Sequence, residues 1–194
     1  QPRIFGPYEP LRRDYPIEEF LADIADQGVT QSIYVQTNWA PGEEVNETRW
    51  VQGVADAHGW PAAIIAYADL ADPNLTRILD AHGEFAAFRG IRQQLHWHEK
   101  ELYRFAAVPD IMNGTVWRQG FAEVAARGLV FELQLFTSQF ADGAQLAKDF
   151  PNATIVLEHA GMREDDSEAG RTALSEGLKR LAEHPNVSTK LSGL

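Results

Sequence analysis

The sequence predicts an α/β protein built on a parallel β-sheet, and three features of the chain lead to this fold class. Short apolar runs alternate with segments of helical spacing, in units of roughly 25–35 residues. Glycine and proline separate these units. A polar side chain follows most of the apolar runs, as is typical of strands that border a site. Together these features indicate βαβ units joined by right-handed crossovers.

In the first half of the chain, helices are predicted at residues 16–25, 44–58 and 72–85. Each helix precedes a predicted strand, and these strands are at residues 32–36, 63–67 and 88–92. The first helix begins with a proline followed by acidic residues, and Gly28 ends it. Gly59 and Pro61 end the second helix, while Asp72 and Pro73 begin the third.

In the second half of the chain, helices are predicted at residues 116–126, 140–150 and 170–184. The strands of this half are predicted at residues 129–135, 154–157 and 186–191. The middle strand is an apolar run that leads directly into Glu158 and His159. Apolar runs bounded by turn residues are typical of strands buried on both faces. This pattern places His159 at the C-terminal tip of a buried strand.

A doubly wound sheet and a (β/α)8 TIM barrel both fit this alternation. The sequence contains no GxGxxG or Walker phosphate loop. Polar residues at many strand ends favour the barrel, which draws its site from several strands at once. These residues are Gln36, Asp69, Arg92, Gln134, His159 and Lys190. Because a barrel closes with eight strands, we expect residues 1–194 to be a single incomplete barrel domain, an internal fragment with about strands 2 to 7.

Composition limits the partners of the protein. The formal net charge of -11 argues against nucleic acid and anionic membrane surfaces, which attract Lys and Arg. No apolar run approaches the roughly 20 residues of a membrane span, and the first residues do not form a secretory signal. The chain has no cysteine, which fits a cytoplasmic protein. We expect a small-molecule substrate, and the composition leaves a homo-oligomer open.

Six short stretches carry a family resemblance, in the same order along the chain. They are YVQ at 34–36, AYADL at 66–70, RGIRQ at 89–93, FELQL at 131–135, LEHAG at 157–161 and NVSTKLSGL at 186–194. With these six stretches in this order, the chain resembles the amidohydrolase-related, metal-dependent hydrolases of the TIM-barrel fold. The resemblance is to the branch that contains sugar lactonases and the pyrone dicarboxylate lactonase.

The resemblance implies a site at the C-terminal ends of the strands. His159 matches the strand histidine of the family, which belongs to the site and can bind a divalent metal such as zinc. Arg92 matches an arginine that can meet a substrate carboxylate or oxyanion. Gln36 and Gln134 match positions that line the pocket. The alternative within this branch is a metal-free site, in which histidines donate or accept hydrogen bonds.

Further expectations concern the surroundings of the site. Asp69, Gln93 and His98 are expected to contact the substrate. The family's His-x-His pair and its aspartate have no counterpart in this chain, and His96 and His98 lie in the wrong place for that pair. These two histidines are taken as pocket-loop residues, with a solvated loop pair as the alternative. Alternation along a strand predicts that Glu158 faces the helix layer, opposite to His159.

Simpler structural roles compete with several of these expectations. His159 could be a buried histidine bonded to a backbone carbonyl. Arg92 could form an ion pair with an acid of a neighbouring loop. Asp69 could cap the helix that follows it. Lys190 needs a partner for its charge at the rim of the barrel.

The function expected from the resemblance is hydrolysis of a small carbonyl compound, most simply a lactone of sugar-acid or aromatic-acid catabolism. Such a reaction needs an activated water and a positive or hydrogen-bonding partner for the carbonyl oxygen. His159 and Arg92 are the candidate catalytic residues. Two alternatives stay open: a metal-dependent decarboxylase of the same superfamily, and a barrel subunit without catalysis.

Overall fold

The computed structural model describes residues 9–192 of the chain. Six strands lie in it: β1 (Ile33–Val35), β2 (Ala63–Tyr67), β3 (Phe88–Gln94), β4 (Val130–Gln134), β5 (Thr154–Leu157) and β6 (Val187–Thr189). Six α-helices accompany them: α1 (Ile17–Ile24), α2 (Glu44–His58), α3 (Leu75–Gly83), α4 (Thr115–Ala126), α5 (Phe140–Asp149) and α6 (Glu168–Ala182). The first stretch of the chain and the last two residues of the 186–194 resemblance lie outside the described range.

The six strands form one parallel sheet in the order β1 to β6, so each strand pairs with its neighbours in sequence. This sequential parallel order, with helices between the strands, gives a curled part of a (β/α)8 barrel. The predicted fold class is therefore confirmed, and every predicted helix and strand exists. Boundaries differ by a few residues at most. At β5 the bounds agree, and a 3-10 turn follows the strand over Glu158–Ala160.

The two faces of the sheet have opposite character, because side chains alternate along each strand. One face packs against the helices and carries the hydrophobic core. In β3 and β4 this face contributes Ile91, Phe131 and Leu133, which pack with Trp117 and Phe121 of α4. Each such buried side chain contributes about 1.5–3 kcal/mol to folding. The other face points to the barrel interior and carries charged residues at the ends of the strands.

The irregular segment between β3 and α4 crosses the C-terminal side of the sheet. It contains two short 3-10 helices, Glu101–Tyr103 and Ile111–Asn113. Gln139 holds this segment down, since its side-chain amide donates to the carbonyl oxygens of Leu95 (2.9 Å) and Pro109 (3.3 Å). Its carbonyl oxygen accepts from the backbone N–H of Trp97 at 3.0 Å. Within residues 9–192, no helix has the length and apolar character needed to cross a membrane.

Candidate active site

Four charged side chains meet on the inner face of the sheet, and we refer to them as the charged cluster: Arg92, Glu132, Glu158 and Lys190. Arg92 of β3 lies opposite Glu132 of β4 in the register of the sheet. Glu158 follows β5, and Lys190 follows β6. The C-terminal ends of parallel strands lie at one edge of a sheet, which is why these four residues from distant parts of the chain come together.

Glu158 is the centre of the charged cluster. Its Oε2 accepts from Arg92 Nη1 at 2.9 Å, and its Oε1 accepts from Lys190 Nζ at 2.7 Å. Lys190 Nζ also lies 2.6 Å from Glu132 Oε1. The side chains of Glu158 and Glu132 are only 2% and 3% exposed, whereas that of Lys190 is 30% exposed. Each buried carboxyl group thus has a cation beside it, as the cost of burying a charge requires.

The two carboxyl groups of the charged cluster have pKa values moved in opposite directions. Burial and the neighbouring Glu158 raise the pKa of Glu132 to about 7, although Lys190 acts against this shift. Burial opposes the ionisation of Glu158 as well. For Glu158, the neighbouring carboxyl of Glu132, the ammonium of Lys190 and the charge of Arg92 outweigh burial and lower its pKa to about 2. Near neutral pH, Glu158 is the fixed anion and Glu132 is the carboxyl that exchanges a proton.

His159 stands beside the charged cluster in a left-handed backbone turn. Positive φ angles occur at His159 (56°), Ala160 (51°) and Gly161 (83°) in succession. A non-glycine residue in this region costs about 1–2 kcal/mol. A side chain at position 161 would overlap the ring of Phe140, so glycine is required there for space as well as for φ. The turn is anchored by Ala160 N–H, which donates to Lys190 O at 2.8 Å.

This turn brings the imidazole of His159 out of the strand, where the side chain is 39% exposed. Its Nδ1 lies 3.0 Å from Ser192 Oγ, and its Nε2 lies 3.8 Å from Glu158 Oε2. The structure therefore pairs His159 with a hydroxyl group, not with the backbone carbonyl of the simpler interpretation. If Nδ1–H donates to Ser192, Nε2 carries the lone pair.

The prediction for Glu158 is wrong. Its carboxylate faces the barrel interior and binds Arg92 and Lys190, not the helix layer. Ile155 and Leu157 face the helix-side core, so alternation itself turns Glu158 inward. The error came from extending the strand through His159. The left-handed turn, which the sequence does not reveal, removes His159 from that alternation.

Arg92 connects the charged cluster to the start of the sheet. Besides Glu158, its guanidinium donates through Nη2 to the backbone carbonyl of Gln36, which follows β1. Arg92 does form an ion pair, as the simpler interpretation expects, but its partner is the buried Glu158 and not an acid of a neighbouring loop. Within residues 9–192, the buried Nε of Arg92 has no hydrogen-bond partner.

The two glutamines expected at the pocket are buried near the strand ends. Gln36 Oε1 accepts from the backbone N–H of Asn38 at 2.6 Å, and Gln134 Nε2 lies 3.4 Å from Met162 Sδ. In the described part of the chain, Gln36 Nε2 and Gln134 Oε1 have no partner. Buried amide atoms of this kind are costly unless something satisfies them.

A cavity of about 380 Å³ opens at the C-terminal ends of β1 to β3, and we refer to it as the β1–β3 pocket. Its lining residues are Asn38, Trp39, Ala40, Pro41, Glu44, Glu47, Tyr67, Asp69, Gln93, Gln94, Phe105, Ala106, Ala107 and Ile111. The lining includes two of the expected substrate-binding residues, Asp69 and Gln93. The other three, Gln36, His98 and Gln134, lie outside it.

Gln93 and Asp69 form a hydrogen-bonded wall of this pocket. Gln93 Oε1 accepts from the indole N–H of Trp117 at 2.8 Å, and Gln93 Nε2 donates to Asp69 Oδ1 at 2.9 Å. Asp69 Oδ1 also accepts from the backbone N–H of Ala71 at 2.9 Å. Hydrogen bonds to Trp117 and Asp69 thus fix the side-chain amide of Gln93. Asp69 uses only Oδ1 in these contacts, and its Oδ2 is left for other partners.

The two loop histidines have different surroundings. His96 is 2% exposed and lies between the rings of Phe105 and Phe136. Burial, with the charge of Arg92, lowers the pKa of His96 to about 4, so the ring is neutral at pH 7. The interpretation of a solvated pair is therefore wrong for His96. His98 accepts from the backbone N–H of Lys100 at 2.9 Å and packs against Tyr103.

The described residues do not by themselves fit a metal centre. Within residues 9–192, no three or more His, Cys, Asp or Glu side chains are grouped so that they could hold a metal ion. His159 offers one nitrogen, and its nearest carboxylate is already held by Arg92 and Lys190.

Sequence reasoning missed Glu132 and placed Glu158 on the wrong face. One signal for Glu132 was available: this acid stands between two apolar residues, Phe131 and Leu133, in a largely apolar strand. A buried charge needs a partner, and the charge of Lys190 at the rim needs one as well. The sequence did not show that Glu132 and Lys190 are partners, because β5 lies between the strands β4 and β6 that carry or precede them.

Comparisons with known proteins agree with this geometry. The amidohydrolase family model matches residues 1–194, the whole chain. The chain is 40% identical over 197 residues to the uncharacterised protein y4mH of Sinorhizobium fredii, covering 100% of this chain and 65% of that protein. It is 28% identical over 187 residues to L-fucono-1,5-lactonase of Burkholderia ambifaria, covering 95% and 59% of the two chains.

The fold matches a solved structure closely. An amidohydrolase of Burkholderia multivorans, crystallised with bound zinc, superposes with a TM-score of 0.79 at 25% sequence identity. The match covers 95% of this chain and 61% of that one. The chain thus spans less than two thirds of the length of each of these relatives.

Proposed function

The chain belongs to the amidohydrolase family, and we propose that the protein carrying it hydrolyses a lactone. The observation that carries this proposal is His159, whose exposed imidazole stands at the end of a barrel strand beside the charged cluster. The 28% identity to L-fucono-1,5-lactonase of Burkholderia ambifaria supports the same reaction class. The absence of cysteine supports a cytoplasmic setting.

In the proposed reaction, water attacks the ring carbonyl of the lactone. His159 Nε2 takes the proton of the water as the C–O bond forms, and Ser192 holds the other ring nitrogen. The carbonyl oxygen gains negative charge, and the nearby positive charge of Arg92 stabilises it. The ring C–O bond then breaks, and the leaving oxygen takes the proton back from His159. The product is the hydroxy acid.

The charged cluster supports this reaction by positioning. Glu158 fixes Arg92 and Lys190 through hydrogen bonds of 2.9 and 2.7 Å. Because both cations are held before substrate binds, little reorganisation is needed as charge develops on the carbonyl oxygen.

The test is a panel of lactones assayed with the protein carrying this chain. We expect His159→Ala to lower kcat/KM by about 10²–10⁴-fold, the usual contribution of a general base. His58→Ala is the matched control, because His58 is an exposed histidine at the end of α2. Arg92→Lys should lower kcat more than it raises KM, with folding checked by circular dichroism.

The outcomes separate the alternatives. Equal rates for His159→Ala and His58→Ala would remove the proposed role of His159. Release of CO2 without ring opening would identify a decarboxylase, and no turnover with any lactone would favour a non-catalytic barrel. A chelator arm tests the expected divalent metal: loss of rate that zinc restores supports it, and an unchanged rate supports the metal-free alternative.

A further inference from the structure

The 3-10 turn Thr137–Gln139, between β4 and α5, bonds to two loops that belong to the site. One is the polar loop after β5, residues 161–167, which follows the turn of His159. The other is the irregular segment between β3 and α4, residues 95–114, which we refer to as the strap. Because β4 lies between β3 and β5 in the sheet, the turn after β4 can hold both loops at once.

Glu164 joins the polar loop to this turn. Its Oε2 accepts from Thr137 Oγ1 at 2.9 Å and from the backbone N–H of Ser138 at 3.0 Å. Its Oε1 accepts from Ser138 Oγ at 2.8 Å. Hydrogen bonds to a carboxylate are stronger than those between neutral groups, so these three bonds fix the polar loop to the turn.

A short backbone bridge accompanies the bonds of Glu164. Met162 and Phe136 form an isolated parallel bridge beyond the ends of β4 and β5. In this bridge Met162 N–H donates to Leu135 O at 3.1 Å, and Thr137 N–H donates to Met162 O at 3.0 Å. Glu164 lies two residues after the bridge, and its bonds therefore hold the chain where it leaves the turn of His159.

The left-handed turn needs such a hold at both ends. His159 and Ala160 are non-glycine residues with positive φ, a conformation that persists only where surrounding contacts impose it. The bond from Ala160 N–H to Lys190 O holds the turn on one side. The bridge at Met162, with the bonds of Glu164, holds it on the other. The direction of the His159 side chain depends on both.

Gln139 joins the strap to the same turn. It is buried, and its side-chain amide bonds to backbone groups of three strap residues, Leu95, Trp97 and Pro109. Between these anchors, residues 105–107 of the strap line the β1–β3 pocket. The position of this pocket wall therefore depends on Gln139.

From these contacts we infer that the turn Thr137–Gln139 is a positioning junction for the site. Through Glu164 the junction sets the direction of His159, and through Gln139 it sets the position of the strap at the β1–β3 pocket. Neither Glu164 nor Gln139 is among the described lining residues of that pocket, and both act through the segments that they hold. This inference rests on the proposed lactone hydrolysis and identifies the residues that position its base and its pocket wall.

The first arm of the test uses the protein carrying this chain and a lactone that it hydrolyses. We expect Glu164→Ala to lower kcat by about 10–100-fold with little change in KM, since a displacement of about 1 Å in a site costs on the order of 10²-fold. Glu164→Gln keeps an oxygen acceptor for Thr137 and Ser138, and it should restore most of kcat. Asp166→Ala is the matched control, because Asp166 lies in the same loop with its side chain 87% exposed.

The second arm breaks the bonds to the strap. Gln139→Leu should raise KM by about tenfold with a smaller change in kcat, because the strap lines the pocket and does not carry the base. Gln145→Leu, at an exposed glutamine of α5, is the control. If Gln139→Leu does not fold, Gln139→Asn takes its place, because it keeps the amide and shortens its reach.

The two arms must change different kinetic parameters. A fall in kcat for Glu164→Ala that Glu164→Gln restores, together with a rise in KM for the Gln139 variant, supports the junction. Equal kcat for Glu164→Ala and Asp166→Ala, a loss that Glu164→Gln does not restore, or equal KM for the Gln139 variant and its control overturns the inference. Lactone hydrolysis by the wild type stands in each of these cases.

If no lactone is hydrolysed, the proposed function fails, and hydrogen exchange of backbone amides decides the inference without turnover. Glu164→Ala should speed exchange at Ala160 and Met162 by at least about tenfold relative to Asp166→Ala, as local opening does. The Gln139 variant should do the same at Phe105 and Ala106, whose N–H groups donate to His96 O at 3.0 and 3.2 Å. Amides of β2 should keep their wild-type rates. Exchange equal to that of the controls, or faster exchange throughout the sheet, contradicts the inference.

Discussion

The two ends of the sheet use their carboxylates in opposite ways. At β4 to β6, Glu132 and Glu158 are buried against Lys190 and Arg92 at 2.6–2.9 Å. At β1 to β3, the described carboxylates of the pocket have no cation beside them. Paired carboxylates are fixed parts of the structure, because their charge is already compensated. Unpaired carboxylates remain acceptors for a ligand. The same residue type is thus paired with cations at one end of the sheet and stands without them in the pocket lining at the other.

The largest effect should follow from breaking the paired end. Glu158→Gln leaves Arg92 and Lys190 with one anionic partner fewer in a buried site. We expect the free energy of unfolding to fall by about 3–5 kcal/mol, as for other buried ion pairs that lose one partner. Urea denaturation of the protein measures this change.

Glu176→Gln on α6 is the matched control, because Glu176 is exposed and removing its charge should change stability by less than about 0.5 kcal/mol. Equal stabilities of the two variants would mean that the charged cluster contributes nothing to the fold. The contrast between paired and unpaired carboxylates would then lose its physical basis.

The sequence was sufficient for the fold because alternation is a local signal. The apolar runs at β2 and β5 and the glycine after α2 identify their elements without knowledge of any distant contact. The hand of each βαβ unit then follows from the rule of right-handed crossovers. The sequential order needed one more observation, the polar residues at many strand ends, which favour a barrel over a doubly wound sheet.

The site was less predictable, because its contacts join residues far apart in sequence. Arg92 meets Glu158 across 66 positions and the carbonyl of Gln36 across 56. The positive φ of His159 depends on the anchor to Lys190 and on the space that Gly161 leaves for Phe140. No local pattern encodes these relations. Strand position and residue type identified His159 and Arg92 as candidates, and the unforeseen turn after Leu157 led to the wrong face for Glu158.

A smaller effect is expected at the unpaired end, where the side-chain amide of Gln93 holds the pocket wall by hydrogen bonds. Gln93→Met removes the acceptor of the buried Trp117 indole and the donor to Asp69. Leaving a buried donor unsatisfied costs about 1–3 kcal/mol, which thermal or urea unfolding detects. The control is Gln145→Met, an exposed glutamine on α5. If Gln93→Met is as stable as this control, the hydrogen bonds of the Gln93 side chain do not hold the pocket wall.

The smallest effect concerns the pH dependence that Glu132 gives to the paired end. Its pKa is raised to about 7 in the folded protein from an ordinary value of 4.5, so the folded state binds more protons than the unfolded state between these pH values. Its contribution to stability therefore falls as pH rises from about 4.5 through 7. One pKa unit corresponds to about 1.4 kcal/mol, and sharing of the proton with Glu158 reduces the net change to on the order of 1 kcal/mol.

Glu132→Gln removes this titration, so the difference in unfolding free energy between wild type and variant should fall across that window and level off above it. The difference is the quantity to measure, because His96 acts in the opposite sense. Its pKa of about 4 makes stability rise with pH up to its ordinary value of 6.5, and this contribution is common to both proteins. A constant difference from pH 4.5 to 8 would show that Glu132 is ionised throughout. The charged cluster would then be neutral overall at every pH in this range, and Glu132 would be as fixed an anion as Glu158.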